Sequence, residues 1–217
     1  MSEIGTVISS SFAFVSQVGS ECEALANLIK QEISDLFSKS PLSGLYKPGA
    51  WSSSYKTDTN AWIYQGAAWS LPLVPKGKRN VTAHLSFQLS LLCDNAEGGL
   101  SPEPLLHVNF WDEPTNFNDQ YMGFEMYDIS PRALTRLREG TARLFRWESD
   151  KGAADRWTYS LRLADINGLD DVRRLIRSPV EQLVIDVDAG EAALDQLASA
   201  VCYTAVEEMP DYYRVVR

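Results

Sequence analysis

The sequence predicts an α+β fold with a long N-terminal helix, a central mainly antiparallel sheet and C-terminal helices. Three observations predict it. Apolar residues recur every three or four positions over 9–38, alternate over 80–92, and return to helical spacing after residue 168. Helices and strands segregated in this order form the layers of an α+β domain, here expected as one compact unit over residues 1–217.

The first helix is read from Val15, Val18, Cys22, Leu25, Ile29, Ile33 and Leu36, which share one stripe. Glu21, Glu23, Lys30, Gln31 and Asp35 take the remaining surface. Ser9, Ser10 or Ser11 is expected to cap its start, and Ser40-Pro41 followed by Gly44 to end it. The stripe is expected to pack on a sheet. A dimer helix is the competing reading, for which the heptad pattern is short.

The period then changes. Residues 61–69 read as part of a strand with imperfect alternation. Over Asn80 to Leu92, Val81, Ala83, Leu85, Phe87, Leu89 and Leu91 alternate with Thr82, His84, Ser86, Gln88 and Ser90. That pattern suits a half-solvated antiparallel strand. Pro72, Pro75 and Gly77 mark a connection. After Cys93, DNAEGGLSPEP reads as a loop. Leu105 to Trp111 forms a further strand, with Leu106, Val108 and Phe110 on one face and His107 and Asn109 on the other. DEPTNFND then reads as a turn-rich surface segment.

Residues 131–139 predict a short helix starting near Pro131 after Ser130. Thr141–Glu148 and Arg156–Leu163 predict a hairpin joined by SDKGAAD. Phe145 and Trp147 are expected to share a face with Trp157, Tyr159, Leu161 and Leu163. Arg143 conflicts with that face, which calls for a bulge or an edge position. Arg146 and Arg162 are expected to meet water or a partner. Leu169 to Ile176 predicts a helix with Asp170 and Asp171 suited to its N-terminal dipole, bounded by Ser178-Pro179. A last helix is expected over about 190–208, packing through Ala193, Leu194, Leu197, Ala198, Val201 and Ala205.

Charge is segregated along the chain. No Lys or Arg lies between Arg79 and Arg132 or from Ser178 to Tyr213, and each stretch holds eight acids. The block from Arg132 to Arg177 has eleven basic and seven acidic residues, within a net charge of -9. This balance favours a partner with a basic surface and argues against general nucleic-acid binding, which gathers Lys and Arg against phosphate. The start lacks the basic n-region of a signal peptide, and no apolar run reaches the roughly 18 residues of a membrane span. Cys22, Cys93 and Cys202 lie far apart without a CxxC, as reduced, mostly buried thiols do. A cytoplasmic setting fits that usage.

Catalytic motifs are missing. His84 and His107 are the only histidines, and there is no HExxH, HxH or Cys/His cluster for a metal. No GxSxG, GxGxxG or GxxxxGK[ST] occurs, so no metal, nucleotide or other cofactor is expected. Lys76-Gly77-Lys78-Arg79 reads as a charged sheet connection. Asp112-Glu113 borders a loop, whereas Asp170-Asp171 reads as a helix start and Glu207-Glu208 as a solvated helix end.

The functional expectation is a noncatalytic acidic interaction domain that inhibits, neutralises or regulates a basic protein partner, as an antitoxin or immunity protein does. Its partner-binding residues are expected to be Trp111, Asp112, Glu113, Asp119, Tyr121, Glu125 and Asp128, aromatic anchors within an acidic rim. No membrane partner is expected. A homo-oligomer is compatible with the first helix. The alternative is a small-molecule-binding or hydrolytic enzyme with His84, His107 and nearby carboxylates in a pocket on the sheet. An amphipathic stripe still exposed within 9–38 would favour assembly. Trp62, Tyr64, Trp69, Phe117, Phe124 and Tyr127 supply further rings for a surface or a core.

Overall fold

A computed structural model describes residues 3–39, 41–91, 103–117, 130–139, 142–147, 156–205 and 213–216. Helix α1 runs over Glu3–Lys39, starting before the expected position. Ser9, Ser10 and Ser11 therefore lie inside the helix and not at its cap. A short α2 (Leu42–Leu45) and β1 (Tyr46–Pro48) follow. Then come β2 (Ser52–Thr57), β3 (Tyr64–Pro75), β4 (Ala83–Ser90) and β5 (Leu105–Trp111). Residues 61–63, expected in a strand, belong instead to the β2–β3 turn, where Ala61 has a φ of 58°. The sheet is completed by β6 (Leu144–Trp147) and β7 (Arg156–Arg162). Its order is β1-β3-β4-β5-β7-β6, with β2 pairing beside β1 on β3, and every pair is antiparallel.

One face of the sheet carries Trp69, Leu71, Leu85, Phe87, Leu106, Val108, Phe110, Trp157 and Tyr159. Against it lie Ala26, Ile29, Ile33, Leu36 and Phe37 from the C-terminal half of α1. Each fully buried side chain of this size contributes about 1.5–3 kcal/mol, enough to hold that half of the helix on the sheet. The same layer is completed by α4 (Leu169–Val172), a π-helical turn (Arg173–Arg177) and α5 (Ser178–Ile185). Ser178-Pro179 does not end a helix as expected. Proline sits in the first turn of α5, where its missing N–H costs nothing, and the π turn carries the chain through. The Tyr159 hydroxyl donates to the carbonyl of Leu175 in that turn (3.1 Å).

The other face was expected to be half solvated, and it is covered. Leu105, Trp111, Phe145, Trp147, Tyr203 and Tyr213 form a second cluster there with Leu137 of α3 (Pro131–Arg138). Helix α3 begins as expected, with Ser130 accepting from Ala133 N. Phe145 pairs with Thr158 and Trp147 with Arg156, so both rings lie across the sheet from Trp157 and Tyr159. The expected shared face is wrong because it assumed a single apolar side. Here both faces are buried, and the second mixes aromatic residues with buried polar ones.

The expected helix over 190–208 is also overturned. Helix α6 spans Val187–Asp195, and Cys202–Ala205 forms β8, paired with β9 (Tyr213–Val216). Cys202 is therefore a strand residue. Val201 and Tyr203 are both buried, and their β-branched and aromatic character suits this extended run. Cys22 and Cys202 are thiols, not disulfide partners. Cys93, the loop after it, and Glu207-Glu208 lie outside the described residues. No helix among the described residues is long and apolar enough to cross a membrane.

Candidate protein-docking surface

The segregated charges of the sequence fold onto one another. Arg136 bonds to Glu191 and Asp195, and Arg146 reaches Asp188 at 2.7 Å and Glu191 at 3.2 Å. Glu191 is 2% exposed. Arg173 and Arg177 meet the buried Glu32 carboxylate at 3.0 and 2.9 Å, and Arg162 lies 3.4 Å from Glu103. Arg143 donates to the carbonyl of Ala200, which resolves its conflict with an apolar face. Arg146 and Arg162 thus serve internal ion pairs and not the water or partner expected of them. Among the described residues, Arg136, Arg146, Arg173 and Arg177 of the basic block are thus held by acids of α1 and α6.

The histidines do not converge. On paired strands His84 is opposite Trp111 and His107 opposite Gln88. Four residues of strand, about 13 Å, separate them. His107 is fully buried and not on a wet face. Its ring nitrogens face the hydroxyls of Ser160 (2.7 Å) and Ser90 (3.1 Å), and burial pushes its pKa down to about 3. It is neutral across the physiological range and unsuited to acid–base work there. His84 is held by the Asp112 carbonyl (3.1 Å), not by a carboxylate, and burial lowers its pKa against the pull of that carbonyl. Among the described residues no three His, Cys, Asp or Glu side chains are grouped to hold a metal. Around His107 the covered face is polar: Ser70, Ser86, Gln88, Asn109, Thr158 and Ser160 are all at most 2% exposed.

The expected partner residues are placed as follows. Trp111 is 4% exposed. Its ring stands edge-on to Trp147 at 4.6 Å and beneath Arg156 at 4.7 Å, so it supports the surface from within. Asp112 and Glu113 are exposed, with the Asp112 carboxylate 3.8 Å from Arg156. Asp119, Tyr121, Glu125 and Asp128 lie outside the described residues, as do Phe124 and Tyr127. Trp69 belongs to the core, and Phe117 is half-buried.

A different surface stands out. Helix α1 has 37 residues, about 55 Å of helix, and its core-forming residues begin only at Cys22 and Leu25. Before them Ile4, Val7, Ile8, Phe12, Phe14 and Val15 are all exposed, Ile4 at 71% and Phe14 at 67%. At 3.6 residues per turn these residues and Val18 fill an arc of roughly 160°. The stripe that packs on the sheet continues outward, and these side chains stay exposed.

The β2–β3 turn comes beside this arm. The Asp58 carboxylate accepts from the N–H groups of Trp62 (2.6 Å), Ile63 (2.8 Å) and Asn60 (3.3 Å). Those N–H groups hold its pKa below the usual carboxylate range. The turn is thus internally braced, and it presents Trp62 at 75% exposure with Ile63, Tyr64 and Tyr55 also exposed. Phe12 and Trp62 lie 6.4 Å apart, centroid to centroid. Soluble monomers rarely expose a contiguous apolar patch of this extent, and such patches mark interaction sites. A tryptophan on an ordered turn is also a common binding anchor. The sequence carried a signal for it, since the stripe extends to Ile4, but serine interruptions obscured it. No known protein-family model matches this chain, nor does any curated protein or solved structure.

Proposed function

We propose that this chain is a noncatalytic interaction protein that docks a partner with a basic surface. The observation that carries the reading is the exposed apolar surface of the Trp62 turn beside the α1 arm. Apolar and aromatic anchors supply contact area. The net charge of -9, with much of the basic block committed to internal pairs, supplies the complementary potential. Asp112 and Glu113 belong to that acidic surface, and Asp119, Tyr121, Glu125 and Asp128 are proposed to extend it with Trp111 supporting it from beneath. Steric occlusion of a basic partner, as by an antitoxin or immunity protein, is the proposed mode of action. The absence of convergent histidines among the described residues disfavours the enzymatic alternative.

The test is capture from the source lysate at low and high salt, with mass spectrometry. Three proteins are compared: wild type, a Trp62→Ser/Ile63→Ser variant, and an Asp112→Lys/Glu113→Lys variant. A basic protein retained by wild type, released by salt and lost with the apolar variant supports the reading. Equal recovery by all three removes the surface assignment. Circular dichroism separates lost binding from lost fold.

A further inference from the structure

We propose that the α1 arm pairs with the arm of a second copy of this chain, antiparallel, to make a dimer. The inference rests on reading the arm as a docking surface and names its occupant.

The chemistry of the arm selects that occupant. No residue from Ile4 to Ser20 carries a charge, and Glu21 and Glu23 follow. The acids that would meet a basic partner lie on the body and not on the arm, and an anionic bilayer would need Lys or Arg there. Two copies meet there without opposing like charges, although each chain carries -9. The hydroxyls of Ser10 and Ser11 are already committed: Ser10 donates to the carbonyl of Thr6 at 2.8 Å and Ser11 to that of Val7 at 2.9 Å. Burying them in a helix–helix seam leaves neither donor unsatisfied.

The area is adequate. The six exposed apolar side chains present on the order of 700 Å² per copy, against the roughly 800 Å² per partner of a standard interface. The spacing Ile4, Ile8, Ser11, Val15 alternates four and three, as a coiled-coil seam does. Val18 and Cys22 are already half-covered, so the seam ends near Val15. Antiparallel pairing over this stretch sets Ile4 opposite Val15 and Ile8 opposite the small Ser11, large against small. It also places the two acidic bodies at opposite ends and opposes the helix dipoles favourably. Parallel pairing would bring the bodies together. The acidic surfaces stay outward, where a basic partner can reach both.

The test is light scattering on a sizing column over a range of concentrations, for wild type and an Ile8→Ser/Phe14→Ser variant. Both side chains are exposed, so the variant is expected to keep the circular dichroism of wild type. The expected result is twice the chain mass for wild type and the single-chain mass for the variant. Orientation is read by oxidation in a Cys22→Ser background, with wild type as control. Ile4→Cys mixed with Val15→Cys should cross-link, and Ile4→Cys alone should not. A single-chain mass for wild type at every concentration overturns the proposal. If the arm variant then still loses a lysate partner, or loses binding to neutral phosphatidylcholine vesicles, the arm remains a docking surface for another occupant. If it loses neither, the docking reading fails too.

Discussion

Replacing Asn109 with Leu is expected to stabilise the fold. Asn109 lies mid-strand on the polar face, in register with Ser86 on one side and Thr158 on the other. It is 1% exposed, and neither its Nδ2 nor its Oδ1 has a hydrogen-bond partner. A buried polar group left unpaired costs about 1–3 kcal/mol. Leucine has the same branched shape and number of side-chain heavy atoms, so it removes that cost without opening a cavity, although its bulkier methyl groups offset part of the gain. Its polar neighbours limit the gain from burying the new methyl groups. The net effect is expected to be about 1–2 kcal/mol, or roughly 2–8 °C in Tm for a chain of this size. Urea unfolding with an unchanged m-value, together with calorimetry at neutral pH, measures it. A loss of more than about 1 kcal/mol would refute the reasoning. It would mean that the amide is bonded in the native protein. The polar face, with Gln88 and Thr158 whose side chains also hold unpartnered atoms, would then be a binding site, and the small-molecule reading would return.

Three other outcomes follow from the same structure. Trp111→Ala should cost about 3–5 kcal/mol, as truncation of a buried tryptophan does; a variant as stable as wild type but deficient in binding would place the ring at a contact surface instead. Gly190→Ala should destabilise by about 1–3 kcal/mol, because an added Cβ would come within 2.8 Å of the Leu183 backbone and 2.7 Å of its side chain; unchanged unfolding would show that α5 and α6 can move apart freely. Glu32→Gln should lower Tm at neutral pH. Hydrogen bonds from Arg173, then from Arg177, hold the Glu32 carboxyl below its ordinary value, against the effect of burial. A carboxylate with a depressed folded pKa stabilises above its unfolded pKa, and that contribution is lost as pH falls through the folded one. The Tm gap between wild type and variant should therefore close in acid, and a gap that persists there would contradict the pairing.

Legibility differed by element. The α1 stripe from Val15 to Leu36 and the alternation of β4 were readable because each repeats within one segment. The start of α3 was readable because Ser130 and Pro131 are local signals. The 190–208 segment was misread because Leu197, Val201 and Ala205 fit a helical spacing while β9, far along the chain, offered Cys202–Ala205 an extended partner. Phe145 and Trp147 were misassigned because alternation shows that a strand has two faces, not whether both are covered. The docking surface was half legible. Its acids and rings were visible, but only the fold shows that Trp111 and Trp69 are buried while Phe14 and Trp62 are exposed.

The sequence alone determined the α+β class with its long first helix, central antiparallel strands and C-terminal helices, the net acidity and the lack of a recognisable catalytic motif, since these depend on composition and short-range period. Only the tertiary structure decided that Arg136, Arg146, Arg173 and Arg177 of the basic block are bound to acids from α1 and α6. Those partners are distant in sequence: Glu32 from Arg173, Arg136 from Glu191. It also decided that the apolar stripe of α1 outruns the body it packs on. A helical period shows which residues share a face, but the sheet beneath covers only the stretch it can reach.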